Sequence, residues 1–314
     1  MSGPKVLTEE DYLRIHLQSL ENDVNIEIPE PQISQQFTPN FNTNKTSDLH
    51  YFSFDIQEFP CGLFYPKGTI IQVRAAQVKE IQSYSMVDDN NYYDIIEKMN
   101  DMLSSCARIK HIDGSISSYL EIKDPDRYYL IFLIRELTFQ KGTTLSTNVR
   151  CSCGQDTTIE LLRSHFKKYD INDKLKPYFD LRNNSFRFEL TNDKVFFLNP
   201  PTIGVQKAFT EYVIRENIQK RKPNLSFLKI IPFTLVGKTS VSQDEIKTEL
   251  DKFQKMDDVS FQFLNSAVEK MTFGIEELIK ICQCGLEIHT PMSFPNGPSA
   301  IFVVHDAFDQ FIKK

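Results

Sequence analysis

Tryptophan is absent from this chain of 314 residues, and no apolar run approaches the roughly 20 residues that a membrane-spanning helix needs. The longest run, Tyr128 to Ile134, is short and ends at Arg135. The first residues contain no apolar segment of the kind found in secretory signals. We therefore expect neither a membrane protein nor a secreted one, and we place the chain in the cytoplasm.

The chain also lacks the positive charge that draws proteins to nucleic acid or anionic lipid. Its formal net charge is −6, and a hydrophobic fraction of 40 % is enough for a substantial core. One local cluster of basic residues is present, and it is predicted to lie at the end of a helix, where basic side chains interact favourably with the helix dipole. A nucleic-acid footprint would need more charge and interleaved aromatic residues, so we expect no nucleic acid partner. The residues of this basic cluster are Arg215, Lys220, Arg221 and Lys222.

No motif with catalytic spacing occurs in the sequence. The six histidines form no His-Glu-x-x-His pair, and neither a nucleophile elbow nor a dinucleotide fingerprint is present. Residues Val236 to Ser240 resemble the end of a phosphate-binding loop, but the position that requires the first glycine is Pro232. Gly237 is better explained as a helix C-cap. We expect no enzymatic activity and no small-molecule substrate.

Six cysteines in a long cytoplasmic chain argue against a disulfide scaffold, and four of them share one spacing. The motif Cys-x-Cys-Gly occurs twice, at residues 151–154 and 282–285, each time in strand-like surroundings. Four thiolates arranged as a tetrahedron suit Zn²⁺, and the glycine permits a tight turn. The pattern predicts a structural zinc site with the ligands Cys151, Cys153, Cys282 and Cys284.

Three alternatives for these cysteines stay open: a degenerate site that has lost its metal, four small buried hydrophobes, or a disulfide pair. We expect His289 at the surface or behind the ligands, and Cys61 and Cys106 as ordinary thiols. If metal is bound, a clasp between two motifs so far apart in sequence would fix both ends of the intervening segment, because closing a long loop costs several kcal/mol.

Hydrophobic periodicity and turn residues predict an α+β fold: an antiparallel β unit with a largely helical insert, and two Cys-x-Cys hairpins that meet as a zinc-ribbon-like clasp. The chain divides into four segments. These are an N-terminal helix (8–22) and flexible polar arm over 1–49, the β unit with helices and the first knuckle over 50–154, a mostly helical insert with a β-hairpin over 155–281, and the second knuckle with a C-terminal strand or helix over 282–314.

Cap signals and apolar spacing place the individual elements. Asp124 is predicted to cap a buried helix in which Arg135 and Glu136 need partners or a route to solvent. Helices are expected over 78–85, 92–108, 127–138, 203–220, 242–256 and 258–272, with hairpins over 149–162 and 186–198.

The order of several short segments is distinctive. Phe59-Pro60-Cys61-Gly62-Leu63-Phe64-Tyr65 precedes the strand Ile71 to Arg74, and Asp126-Arg127-Tyr128-Tyr129-Leu130 follows with Ile134, Arg135 and Thr138 downstream. A cysteine knuckle, a helical stretch and a second knuckle complete the order. Over residues 50 to 310 this order resembles the T-even-type bacteriophage baseplate hub subunit family.

The resemblance implies a structural or assembly component of a contractile tail's baseplate hub that acts by protein–protein binding. Its partners would be other hub, spike or tail proteins, in the host cytoplasm during assembly and in the tail baseplate of the virion. The residues leave two further hypotheses open: a zinc-stabilised adaptor subunit of a transcription or replication complex, and an enzyme whose site no motif reveals.

Overall fold

A computed structural model describes residues 50–139, 145–190, 194–221, 225–271, 273–275, 278–290 and 297–302. These residues form helices and antiparallel sheets, as the mixed sequence pattern predicted. The helix predicted over 8–22 and the arm that follows it lie outside the described residues.

The predicted β unit is a four-stranded antiparallel sheet. Phe54, Ile71 and Ile109 stand opposite one another on adjacent strands and are all buried, so one face of the sheet forms part of the core. Its strands, in spatial order, are β1 (Phe52–Asp55), β2 (Ile70–Val73), β3 (Ala107–Lys110) and β4 (Ile116–Ser118).

Three helices accompany this sheet: α1 (Val78–Tyr84), α2 (Tyr92–Cys106) and α3 (Arg127–Thr138). Helix α3 packs against β2 and against α2, and α1 packs against α2. The prediction of a helix up to residue 108 was wrong at its end, because residues 107–110 pair with β2 as strand β3. No glycine or proline marks this boundary, and pairing with a distant strand determines it.

Helix α3 is the buried central helix that the apolar run predicted. The predicted cap was wrong, since Asp124 lies in a short 3₁₀ turn before the helix and pairs with Arg127. The prediction that the two charged residues near the helix end need partners is confirmed. Arg135 Nε donates to the Ile301 carbonyl at 2.6 Å, and Glu136 pairs with Arg163.

The segment after α3 begins with strands. Both predicted hairpins are present, but the expectation of mostly helical structure from residue 163 onward was wrong up to residue 202. In the second hairpin Phe188 lies opposite Phe196 and both face inward. The strands are β5 (Ser146–Arg150), β6 (Asp156–Glu160), β7 (Phe166–Lys167), β8 (Phe179–Asp180), β9 (Ser185–Leu190) and β10 (Lys194–Leu198), of which the last three form a sheet in the order β10-β9-β8.

Four helices follow, and three of them begin after a capping side chain of the kind that helix N-termini favour. The side chains of Thr202, Ser242 and Asp257 each accept a hydrogen bond from a first-turn N–H. No helix within the described ranges combines the length and apolar character that a membrane crossing requires. The helices are α4 (Ile203–Ile218), α5 (Leu225–Thr234), α6 (Gln243–Gln254) and α7 (Asp258–Glu269).

Three short strands and a 3₁₀ turn close the described chain: β11 (Gly274–Ile275), β12 (Leu278–Ile281), β13 (Glu287–Thr290) and the turn Pro298–Phe302. Strand β11 pairs with β7, and β12 pairs with β13. One main core runs from Phe54 to Phe302 and draws on residues of the predicted segments 50–154, 155–281 and 282–314. Those segments therefore share a core.

Candidate metal centre

The two Cys-x-Cys-Gly motifs form the five-residue loops of two hairpins, β5–β6 and β12–β13. Each loop closes in the same way. The N–H of Cys151 donates to the Gln155 carbonyl at 2.8 Å, and the N–H of Cys282 donates to the Leu286 carbonyl at 2.9 Å. Two segments far apart in sequence thus present their cysteines on matching backbone frames.

A glycine completes each loop for a conformational reason. Gly154 and Gly285 have φ of +89° and +85°, which lies in the left-handed region that side chains disfavour. Each glycine N–H donates at 2.9 Å to the carbonyl of the first cysteine of its motif. This turn directs both cysteine side chains of a motif to the same side.

The structure brings the four predicted cysteines together. Their Sγ atoms all lie within 4.8 Å of one another. The contacts that bridge the hairpins are Cys151 to Cys284 and Cys153 to Cys282, each at 3.7 Å. Cys151 and Cys282 are buried, and Cys153 and Cys284 are exposed. Each hairpin therefore supplies one inner and one outer thiol to a group that can hold a metal ion.

The pKa values of Cys282 and Cys153 are shifted in opposite directions by the groups around them. The backbone N–H of Cys284 is the main cause that lowers the pKa of Cys282 to about 6, with the other thiols adding to it and burial opposing it. At Cys153 the backbone N–H of Gln155 acts to lower the pKa, but the other three thiols and burial outweigh it and raise the pKa to about 12. Of these two thiols, Cys282 therefore loses its proton at the lower pH, and the other thiols donate hydrogen bonds to it. A cation that binds all four sulfurs would displace the remaining protons.

A small apolar cluster, separate from the main core, lies beneath the sulfurs. It consists of the two inner cysteines with Ile159, Leu278 and Ile288, and Val149 packs against it. Among the described residues, few side chains therefore hold the two hairpins together by packing alone.

His289 and the other two cysteines lie away from the four sulfurs. The His289 side chain is half exposed and its Nε2 is 3.4 Å from a Glu287 carboxylate oxygen. Among the described residues, the only group of three or more His, Cys, Asp or Glu that can hold a metal is the four-cysteine group. Cys61 and Cys106 are fully buried in the main core.

The phosphate-loop resemblance has a structural explanation in the described residues. Gly237 has φ of +74° in the turn that follows α5, and Lys238 pairs with Glu245. In the basic cluster, Arg221 forms an ion pair with Glu216. Lys238 and Arg221 are thus paired with carboxylates of the same chain. Gly237 lies in the turn three residues after the last helical residue, Thr234, and not at the predicted cap position. Lys222 of the basic cluster lies outside the described residues.

A second buried site, which sequence reasoning missed as a site, surrounds Asp126. Its carboxylate accepts hydrogen bonds from the Cys61 N–H at 2.8 Å and from the Tyr65 hydroxyl at 2.7 Å. The Tyr65 hydroxyl in turn accepts from the Lys123 N–H at 2.8 Å, and Lys123 Nζ donates to Asn199 Oδ1 at 2.6 Å. The network joins the start of the β unit to the end of β10.

Burial dominates the electrostatics of this network. It raises the pKa of Asp126 to about 7, against the opposing effect of its hydrogen bonds from Tyr65 and Cys61. It lowers the pKa of Lys123 to about 8. The only signal in the sequence was the pair of short segments that carry the family resemblance, which contain Cys61, Tyr65 and Asp126.

No protein-family model, no curated protein and no solved structure matches this chain.

Proposed function

We propose that this chain is a structural or assembly component of the baseplate hub of a contractile phage tail and acts by binding other proteins. The observation that carries the proposal is the convergence at Asp126. The two segments on which the resemblance rests most, Phe59 to Tyr65 and Asp126 to Leu130, are joined there by two buried hydrogen bonds. The two segments that carry the resemblance thus contact each other in the folded chain and belong to one structural unit.

We further propose that the four-cysteine group binds zinc as a ribbon-like clasp between its two hairpins. A tetrahedron with Zn–S bonds of about 2.3 Å has sulfur–sulfur edges of about 3.8 Å. The two bridging distances of 3.7 Å match such an edge, and the remaining sulfurs lie within 4.8 Å. With all four positions supplied by protein sulfur, zinc would act structurally, because no position is left open for water or substrate.

Affinity isolation tests the assembly role. The full-length chain would carry a C-terminal tag in the infected cells that normally produce it, and its complexes would be identified by mass spectrometry. An untagged strain is the control. We expect tail, hub or spike proteins in stoichiometric amounts. Reproducible isolation of polymerase or replication subunits in their place would favour the adaptor hypothesis and refute the baseplate assignment.

A further inference from the structure

We propose that the free edge of strand β10 binds an extended peptide segment of a partner protein, which adds a fourth strand to the β8–β9–β10 sheet. This inference deepens the proposed assembly role and rests on it only for the partner's identity. The occupant is defined by chemistry: an extended segment that alternates apolar and polar side chains and carries acidic residues at one end.

A cleft of about 870 Å³ follows this strand edge. Three consecutive residues of β10, Val195, Phe196 and Phe197, line it. Because successive side chains of a strand point to opposite faces, a cleft that touches three in a row lies along the edge of the sheet. Residues 234–237 after α5 and the C-terminal half of α6 form the other walls.

On the cleft side, the backbone of β10 has no pairing partner among the described residues. Within the described chain β10 pairs only with β9, and residues 195–198 make no other backbone hydrogen bond. The next residue, Asn199, already donates its N–H to the Phe233 carbonyl at 2.9 Å, so the open stretch ends there. An antiparallel strand with one partner leaves alternate N–H and C=O groups unpaired, and extended peptides bind to such edges.

The side chains of the cleft define which peptide fits. Val195 is 42 % exposed and Phe197 is half-buried, which provides apolar contact for alternate side chains of an added strand. The charged lining residues are Lys252, Lys255 and Glu249, two cations against one anion in a chain of net charge −6. Glu249 is already paired with Lys252. This local excess of positive charge selects an acidic segment.

The test uses the full-length protein and a fluorescent, end-capped peptide of alternating valine and threonine that ends in two glutamates. Fluorescence anisotropy should show saturable binding, and amide NMR shifts should concentrate on residues 194–198. N-methylation of one alternate set of peptide amides should reduce affinity at least tenfold, while methylation of the other set should leave it nearly unchanged. A strand that pairs along one edge directs only every second N–H group toward that edge, so only one of the two sets of amides should matter.

Two side-chain variants test the charge selection. Lys252→Gln and Lys255→Gln should each weaken binding about threefold, and the matched control Lys247→Gln, on the same helix but outside the cleft, should not. Absence of saturable binding, or equal effects of the two methylated peptides, would overturn the proposal. If tail proteins are isolated with the chain but the peptide fails to bind, the edge assignment alone is wrong; if the peptide binds but no tail protein is isolated, the baseplate assignment alone is wrong.

Discussion

Replacing the two outer thiols of the cysteine cluster, as Cys153→Ser together with Cys284→Ser, should open both hairpins and leave the main core folded. These two side chains are exposed, whereas Cys151 and Cys282 belong to the small apolar cluster under the site. The double variant therefore removes two metal ligands without removing a packed side chain. The exposed loop residue Ser152 provides the matched control, as Ser152→Ala.

The magnitude follows from the size of that small cluster. Its three aliphatic side chains, Ile159, Leu278 and Ile288, contribute roughly 5 to 9 kcal/mol if each buried side chain is worth about 1.5 to 3 kcal/mol. A structural zinc contributes about 10 kcal/mol or more in small peptide systems. The contribution of a bound metal would thus be at least as large as that of these three side chains. A loss of only about 4 kcal/mol already lowers protection against hydrogen exchange about a thousandfold.

Hydrogen exchange with mass spectrometry measures this directly. Peptides from 146–160 and 278–290 should lose protection in the double variant and in wild-type protein treated with a chelator, while peptides from α3 should keep theirs. Elemental analysis of untreated protein should give about one zinc per chain. Unchanged exchange in both hairpins, or metal-free protein from chelator-free preparations, would refute the clasp. An equal loss of protection in α3 would show that the effect is not confined to the two hairpins and would refute that part of the prediction.

Two further predictions concern the main core. Since burial raises the pKa of Asp126 to about 7, the folded chain keeps a proton that the unfolded chain releases near pH 4, so this group should lower the free energy of unfolding by roughly 4 kcal/mol between pH 4 and 7. Urea titrations of Asp126→Asn should show that fall reduced, and an unchanged slope would contradict the assignment. Gly204→Ala should destabilise by about 3 kcal/mol or more, because the added Cβ would lie 1.8 Å from the Thr239 carbonyl oxygen. The exposed-site control Glu211→Ala should change the melting temperature little, and an equal effect of both variants would contradict the steric argument.

Local signals allowed much of the fold to be predicted. The hairpin β9–β10 follows from two apolar runs that flank a polar turn, and its predicted range of 186–198 agrees with the strands observed. The helices α6 and α7 begin directly after Ser242 and Asp257, whose side chains cap them. The cysteine cluster was predictable because two copies of one short motif carry a geometry that each hairpin builds alone.

The remainder depends on contacts between distant residues. Strand β3 continues directly from α2, and only its pairing with β2 distinguishes residues 107–110 from another helical turn. The short strands β7 and β8 contain two residues each, too few for any periodicity to appear. The hydrogen bond from the Cys61 N–H to Asp126 joins residues 65 positions apart, so the local sequence around either residue does not predict it.

The structure also changes what the cysteine clasp is expected to do. A cross-link between Cys151 and Cys284, which are 133 positions apart, would restrict an otherwise unconstrained chain by about 5 kcal/mol of closure entropy. In the folded protein, however, β7 already pairs with β11, and these strands lie just inside the two hairpins in sequence. The main core therefore holds the ends of the intervening segment together before any metal binds. A bound metal would then only fix the two hairpins against each other, which is why a chelator should affect exchange in the hairpins far more than the unfolding of the core.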